Sequence, residues 1–393
     1  MSVRENQERR VYFDHNATTP ARREVVDAML PYFTQRFGNA SSVHFFGQEN
    51  RDSVDRARGD VAALMGAEPE EVIFTSGGTE SDNLAIRGAV RAARRLSRGN
   101  HIITSVIEHP AVLKTCQDLE GEGFRISFIP CDRSGVVRLD LLEGALGPDT
   151  CLVTVMLANN ETGVIQPLRE ISALTRRRGI PLHTDAVQGA GKIPIDVDGL
   201  GVDLLSISAH KFYGPKGIGA LYVRRGTALE AVTTGGSHEC GLRPGTENIP
   251  GIVGLGEAAR LSKQDLSREV ERIGALRDRL ERGVLKKVEG VVVNGSSAPR
   301  VPNTSSIVVA RVEGEAITLR LSMLGFAVSS GSACSSGESE PSHVLLALGL
   351  DPALAQGGLR ISLGIGNTTE EVDAFLEAFP PVVSRLRELS PLK

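Results

Sequence analysis

Lys211 stands in the stretch Ser206-Ile207-Ser208-Ala209-His210-Lys211-Phe212-Tyr213-Gly214-Pro215-Lys216-Gly217. The apolar run from Val202 to Ile207 leads into it, polar Ser208 and His210 flank it, and a Gly/Pro-rich turn follows. A lysine that leaves a buried strand into a tight turn is held still and partly desolvated. Desolvation lowers its pKa and makes the amine a nucleophile. With a cofactor, the main use of such an amine is a Schiff base to pyridoxal phosphate. A lysine at a strand end reaching for water has the same local sequence, so this stretch leaves both readings open.

Other polar groups recur at the ends of apolar runs. Val72-Ile73-Phe74 is followed by Thr75-Ser76-Gly77-Gly78-Thr79-Glu80-Ser81-Asp82-Asn83 and then a helix from about Leu84. Strand, Gly-Gly-Thr and helix outline a phosphate site, because glycines admit the anion and a helix N-terminus offers free N–H groups. His101–Ile107 ends at Glu108-His109-Pro110, Thr150–Leu157 ends at Ala158-Asn159-Asn160-Glu161-Thr162-Gly163, and Pro181–Asp185 runs into Ala186-Val187-Gln188. Cys334 lies in a small, polar segment, Val328 to Pro341, where a packing cysteine does not belong and a reactive thiol does. Leu359–Leu363 is a strand carrying one arginine, Arg360.

These residues need a frame that brings strand ends together. Strands at Arg125–Pro130 and Gly219–Val223 join those above, and helices are expected over about 21–33, 47–65, 139–146 and 168–178. Alternating strands and helices predict an α/β fold, a mostly parallel sheet with helices on both faces. Thr79, His109, Asn160, Asp185, Gln188, His210 and Lys211 would then converge on one sheet edge, where open α/β sheets bind ligands. A charged helical stretch from about Leu261 to Val288 marks the expected domain boundary. It separates a large domain over 21–260 from a smaller C-terminal one over 261–393, with 1–20 as an N-terminal segment packing on the small domain.

Composition narrows the function. The 393 residues are 41% hydrophobic and 23% charged, with a formal net charge of -4, as in an ordinary soluble enzyme. No basic cluster is long enough to track a phosphate backbone, which speaks against nucleic acid. No apolar run is long enough to span a bilayer, and Met1–Arg10 has no signal-peptide core, so a cytoplasmic protein is expected. The five cysteines, Cys116, Cys131, Cys151, Cys240 and Cys334, are odd in number and dispersed. They suggest neither a disulfide framework nor a metal site.

Taken together and in this order, the motifs resemble those of the cysteine desulfurases, the NifS/IscS group of the class V aminotransferase family. The likeness covers Tyr12-Phe13-Asp14-His15-Asn16-Ala17-Thr18-Thr19, Thr75–Asn83, Glu108-His109, Asn159–Gly163, His183–Gln188, the Lys211 stretch, Arg243-Pro244-Gly245-Thr246-Glu247-Asn248 and Ser329–Ser335. It implies a fold-type I pyridoxal-phosphate enzyme with a seven-stranded, mostly parallel sheet and a smaller α+β domain. It implies that Lys211 carries the cofactor and shuttles the proton, that Asp185 pairs with the pyridinium nitrogen, and that His109 stacks on the ring and takes part in catalysis. Gln188 meets the ring's phenolic oxygen. Gly78, Thr79, Ser208 and His210 hold the phosphate, and Thr246 reaches it from the partner subunit of a homodimer. Asn160 touches cofactor and substrate. Asn39 and Arg360 hold the substrate, with Arg360 on its carboxylate. Cys334 takes sulfur from L-cysteine as a persulfide, leaving alanine, and a sulfur-acceptor protein such as an iron–sulfur scaffold receives it. No metal is implied.

Three positions depart from that pattern: Ala209 for a glycine, Ala40 for a proline, which would loosen its loop, and Cys240 for an arginine, which would remove a cation near the site. Selenocysteine lyases resemble the chain at Met156–Gly163 and His210–Pro215, and the sequence does not separate the two activities. A scaffold protein without catalysis is disfavoured by the joint presence of Lys211, Asp185, His109 and Cys334.

Overall fold

The computed structural model of the chain describes residues 10–330 and 341–389. Among these residues thirteen strands run in chain order: β1 Val11–Tyr12, β2 Val72–Thr75, β3 His101–Ser105, β4 Arg125–Ile129, β5 Thr150–Thr154, β6 Leu182–Asp185, β7 Leu204–Ser208, β8 Gly219–Val223, β9 Val291–Val293, β10 Thr304–Val309, β11 Phe326–Ala327, β12 Ser329–Ser330 and β13 Gly358–Ser362. The main sheet has seven strands in the order β2-β8-β7-β6-β5-β3-β4. Neighbours from β7 through β4 pair in parallel, and β8 is antiparallel to both β7 and β2. β2, β3, β5, β6 and β7 are buried at every residue, as expected when helices cover both faces of a parallel sheet.

One face carries the largest apolar core, with Ile103, Val153, Leu205 and Ile207 against Val54, Val61 and Met65 of the helix Phe45–Met65. The other face packs Ile73, Ile102, Leu152 and Leu204 against the helices Gly78–Arg95 and Pro110–Gly121. A second, antiparallel sheet has the order β12-β13-β10-β9, and its core includes Ile307, Leu359, Ile361, Phe375 and Phe379. The N-terminal segment joins this smaller core. β1 pairs in parallel with β11, and Val11 and Phe13 are buried there.

Two expectations shift. The strands end earlier than their apolar runs: β3 stops at Ser105 and β5 at Thr154, although the Val155 and Leu157 N–H groups still donate to the His183 and Asp185 carbonyls at 3.1 and 2.8 Å and residues 155–158 stay buried. The charged helix begins earlier than Leu261. A single helix, Ile249–Lys287, is capped by the Asn248 side chain, which accepts the Gly251 N–H at 3.2 Å. Ile252, Leu255 and Ala259 pack into the large core, whereas Ile273, Leu276, Leu280 and Val284 pack into the small one. The handover between cores therefore falls inside one rigid element, and no linker marks it.

Candidate active site

Parallel strands deliver their C-terminal ends to one edge, and the expected residues gather there. β7 ends at Ser208, and a short turn over Ala209–Lys211 carries His210 and Lys211. β6 ends at Asp185, with Gln188 one turn on. β3 leads to His109, the N-cap of the helix Pro110–Gly121, and its Nδ1 accepts the Ala111 N–H at 3.1 Å. Burial holds the His109 pKa below the usual histidine value. With Nδ1 so occupied, the neutral ring carries its proton on Nε2.

The Gly-Gly turn sits against the Lys211 strand because β8 lies between β2 and β7. Gly219 pairs with Thr75 on one side and Ser208 on the other. The helix after β2 begins at Gly78, not at Leu84, since Gly77 takes φ +153°, a value glycine favours, and lets the chain enter the helix at once. A Cβ on Gly78 would lie 2.7 Å from Val187 Cγ2 and 3.7 Å from Ser208 Cβ. The first turn of this helix therefore packs closely on Val187, two residues past the buried Asp185, with Ser208 beside it. First-turn N–H groups, Ser208 and the Asp185 carboxylate fit a phosphate-bearing cofactor with a basic ring nitrogen, as pyridoxal 5′-phosphate has.

Asn16 ties the pieces together. Its carbonyl accepts from Lys211 Nζ at 2.7 Å and Gln188 Nε2 at 3.0 Å. Its side chain donates to the Asn160 carbonyl at 3.1 Å and Thr304 Oγ1 at 2.8 Å, and accepts from Lys192 Nζ at 3.1 Å and Asn303 Nδ2 at 2.9 Å. Lys211 Nζ also donates to the Ala17 carbonyl at 2.8 Å. His210 Nδ1 lies 3.1 Å from Thr18 Oγ1. Asn16 lies inside a stretch legible as a motif and Lys192 lies just beyond one, but nothing in their types marks them as the hub. Lys192 is buried, and burial pushes its pKa well below the usual lysine value. Its second acceptor is Gln188 Oε1.

Behind the edge lies a group of buried acids. Burial raises Asp82, Glu108 and Asp185, and the charge of Asp185 raises Asp82 and Glu108 further. On Asp185, the nearby His109 and Lys211 and the Val187 N–H, 2.9 Å from Oδ1, work the other way and favour the carboxylate. Glu108 accepts from Ser105 Oγ and the Met156 N–H, and its pKa is pushed up to about 8. His183, between Thr154 and Ser206, is driven down to about 3 and stays neutral.

A raised acid pKa means the folded state keeps a proton that the unfolded chain loses above 4.5, so Glu108 makes stability fall as pH rises from there towards 8. Glu108→Gln should remove that slope, up to about 1.4 kcal/mol per pH unit. Thermal melts between pH 6 and 8 should show the variant losing less stability than the parent; parallel curves would mean Glu108 is ionised in the fold.

Arg360 is buried on β13, where Nη1 donates to the Asn160 carbonyl at 3.1 Å and Nη2 to Asp14 Oδ1 at 2.9 Å. Thr79 and His109 line one open cleft. Two expected residues are not joined to this group within one chain. Asn39 is exposed, and its Oδ1 accepts the Ser41 N–H of its own loop at 2.8 Å. Thr246 is exposed, in a cleft with Ser76 and Gly217. Cys334 lies outside the described residues.

The three departures have local answers. Ala40 does not leave its loop loose, because its carbonyl accepts from Arg51 Nε and Nη2 at 3.2 and 3.1 Å. Ala209 is fully buried. Cys240 is exposed beside Glu239, which binds Arg58 through both oxygens at 2.7 and 2.8 Å, so a cation still stands close by.

A phosphate-type cradle backed by a buried acid, with a lysine at the end of the neighbouring strand, defines a pyridoxal-phosphate enzyme of fold type I. The description of the aminotransferase class-V family matches residues 11–375. The cysteine desulfurase IscS of Dictyoglomus turgidum is 49% identical over 98% of this chain and 97% of its own, and that of Methanosarcina thermophila is 48% identical over 97% and 94%. Among solved structures, a NifS-like protein superposes with a TM-score of 0.90 at 39% identity, covering 96% of this chain and all of that one. SspA in complex with cysteine superposes at 0.80 with 37% identity, covering 90% and 98%. The chain belongs to the aminotransferase class-V family and, within it, to the cysteine desulfurases.

Proposed function

We infer that the protein is a pyridoxal-phosphate-dependent cysteine desulfurase that converts L-cysteine to L-alanine and delivers the sulfur as a persulfide. The observation that carries the reading is the single edge at which Lys211, Asp185, Gln188, His109 and the Gly78 cradle meet beside Arg360. Pyridoxal phosphate, when bound, supplies a reactive carbonyl and an electron sink for charge developing at the substrate's Cα. Gly78, Thr79, Ser208 and His210 hold its phosphate, Asp185 its ring nitrogen and Gln188 its phenolic oxygen. His109 covers the ring and offers its Nε2 proton. Lys211 holds the cofactor and moves the proton at Cα. Arg360 and Asn160 orient the substrate carboxylate. Cys334 attacks the substrate sulfur as a thiolate; an S–S bond forms as the C–S bond breaks, the bonding pair passes to the substrate carbon, and that carbon takes a proton to become the methyl group of alanine.

The purified, cofactor-loaded protein given L-cysteine and a reductant should release alanine and sulfide in equal amounts. Failure to release either would refute the reading, and a marked preference for selenocysteine would turn it to the lyase. Arg360→Ala should raise KM for L-cysteine strongly while cofactor binding persists. A charge-assisted pair broken on one side costs about 2–5 kcal/mol. Unchanged saturation by cysteine would remove Arg360 from the substrate site.

The working unit is a homodimer. Exposed Thr246 and Asn39 are supplied from one subunit to the other's site in this reading. Exposed Phe33, Phe37, Val43 and Phe45 are apolar surface that a second copy would cover. Sedimentation of the loaded protein as a monomer would refute the dimer. The persulfide passes to an acceptor protein in iron–sulfur or related sulfur chemistry, in the cytoplasm. No helix among the described residues is long and apolar enough to cross a membrane.

A further inference from the structure

We propose that Asp14 is a positioning residue that holds Arg360 in place for the substrate carboxylate and, through its own charge, limits how tightly that carboxylate binds. The proposal rests on the reading of Arg360 given above.

Asp14 is placed by backbone. It bridges Ser362, the last residue of β13, where the Ser362 N–H donates to the Phe13 carbonyl at 2.8 Å and the His15 N–H to the Ser362 carbonyl at 3.2 Å. Arg360 is two residues from that anchor, so the Asp14 carboxylate meets its guanidinium without any long side chain having to search. The pair is largely buried, with 7% of the arginine side chain and 20% of the aspartate side chain exposed.

The guanidinium has five N–H donors. Asp14 takes one at Nη2 and the Asn160 carbonyl one at Nη1, while Nε is buried with no partner among the described residues. A buried, unanswered N–H is costly unless a ligand answers it. An arginine fixed on two sides with a third donor open is set for a carboxylate, and Asp14 supplies one of those sides.

The same contact has a cost for binding. A substrate carboxylate on Arg360 comes within a few ångströms of the Asp14 carboxylate, and like charges at that range repel appreciably in a site this shielded. Asp14 therefore gives up affinity for the non-reacting end of the substrate. Binding spent equally on ground state and transition state lowers KM without raising kcat, so little is lost in rate.

Two substitutions separate the charge from the anchor. In Asp14→Asn the side-chain oxygen still accepts from Arg360 while the charge is gone. In Asp14→Ala both go. The probes are L-alanine, read from the cofactor's absorbance, and propionate, read by calorimetry. Asp14→Asn should bind both about tenfold more tightly than the parent, and KM for L-cysteine should fall without a matching rise in kcat. Asp14→Ala should bind both more weakly than the parent. Unchanged or weaker binding in Asp14→Asn overturns the charge effect, and Asp14→Ala binding as tightly as Asp14→Asn overturns the positioning effect. Propionate needs the arginine alone, so it still judges Asp14 if the parent proves inactive on L-cysteine and the functional reading fails.

Discussion

Lys211→Ala should be colourless after purification and should release no alanine from L-cysteine. The amine is held by the carbonyls of Asn16 and Ala17 at 2.7 and 2.8 Å, both fixed by the N-terminal segment. General acid–base work by a positioned side chain is worth about 10²–10⁴ in rate, and covalent capture of the cofactor adds to that. The obvious substitute is Lys192, which reaches the same Asn16. Its geometry argues against rescue. Its Nζ donates to two acceptors, Gln188 Oε1 and Asn16 Oδ1, and no carboxylate among the described residues pairs with it. It is committed to fixing the Gln188 amide, whose Nε2 then donates to the Asn16 carbonyl at 3.0 Å. Absorbance of the purified variant and alanine release over hours decide the matter. Normal turnover by Lys211→Ala would remove Lys211 from the chemistry.

What could be read in the sequence was what depends on local chemistry. Apolar runs ending in polar residues located β3, β5, β6 and β7, and parallel pairing then brought His109, Asp185, Gln188 and Lys211 to one edge without further information. The hub at Asn16 could not be read in this way, because two of its main contacts are made by its backbone carbonyl, which every residue possesses. The Asp14–Arg360 pair joins positions 346 residues apart, and only the folded small domain sets them side by side. The start of the helix at Gly78 was missed because glycine and threonine read as a loop. The backbone freedom of Gly77 is what lets the helix begin there. The start of the long helix is hidden in sequence for the same reason. Its first turns, with Gly251, Gly254 and Gly256, look like a loop until close packing explains them: a Cβ on Gly256 would lie 2.6 Å from Ala57 Cα.

Cys334→Ser should keep the cofactor's colour and still bind L-cysteine, yet release no sulfide in the presence of a reductant. The case is made by elimination among five thiols. A nucleophilic cysteine must reach substrate as a thiolate. Cys116 is fully buried and pushed up to about 12. Cys131 and Cys151 are each pushed up to about 11, chiefly by burial. None of the three can ionise near neutral pH, and all three are packing residues. Cys240 is exposed, in a turn at φ +57° whose neighbour Glu239 is anchored to Arg58 and to the Phe74 N–H at 2.7 Å. That anchoring fixes Cys240 to the end of the sheet and leaves it little travel towards a bound substrate. Cys334 is the thiol that remains; no basic residue follows it in sequence before His343, so substrate binding rather than a nearby cation would complete its site. Cys240→Ser should therefore retain most of the parent's sulfide release. Labelling the persulfide formed in the absence of reductant, followed by peptide mapping, should find it on Cys334. Persulfide on Cys240 together with an active Cys334→Ser would exchange the two assignments. An active enzyme lacking both thiols would mean that sulfur leaves the substrate without an enzyme persulfide, the behaviour expected of a selenocysteine lyase.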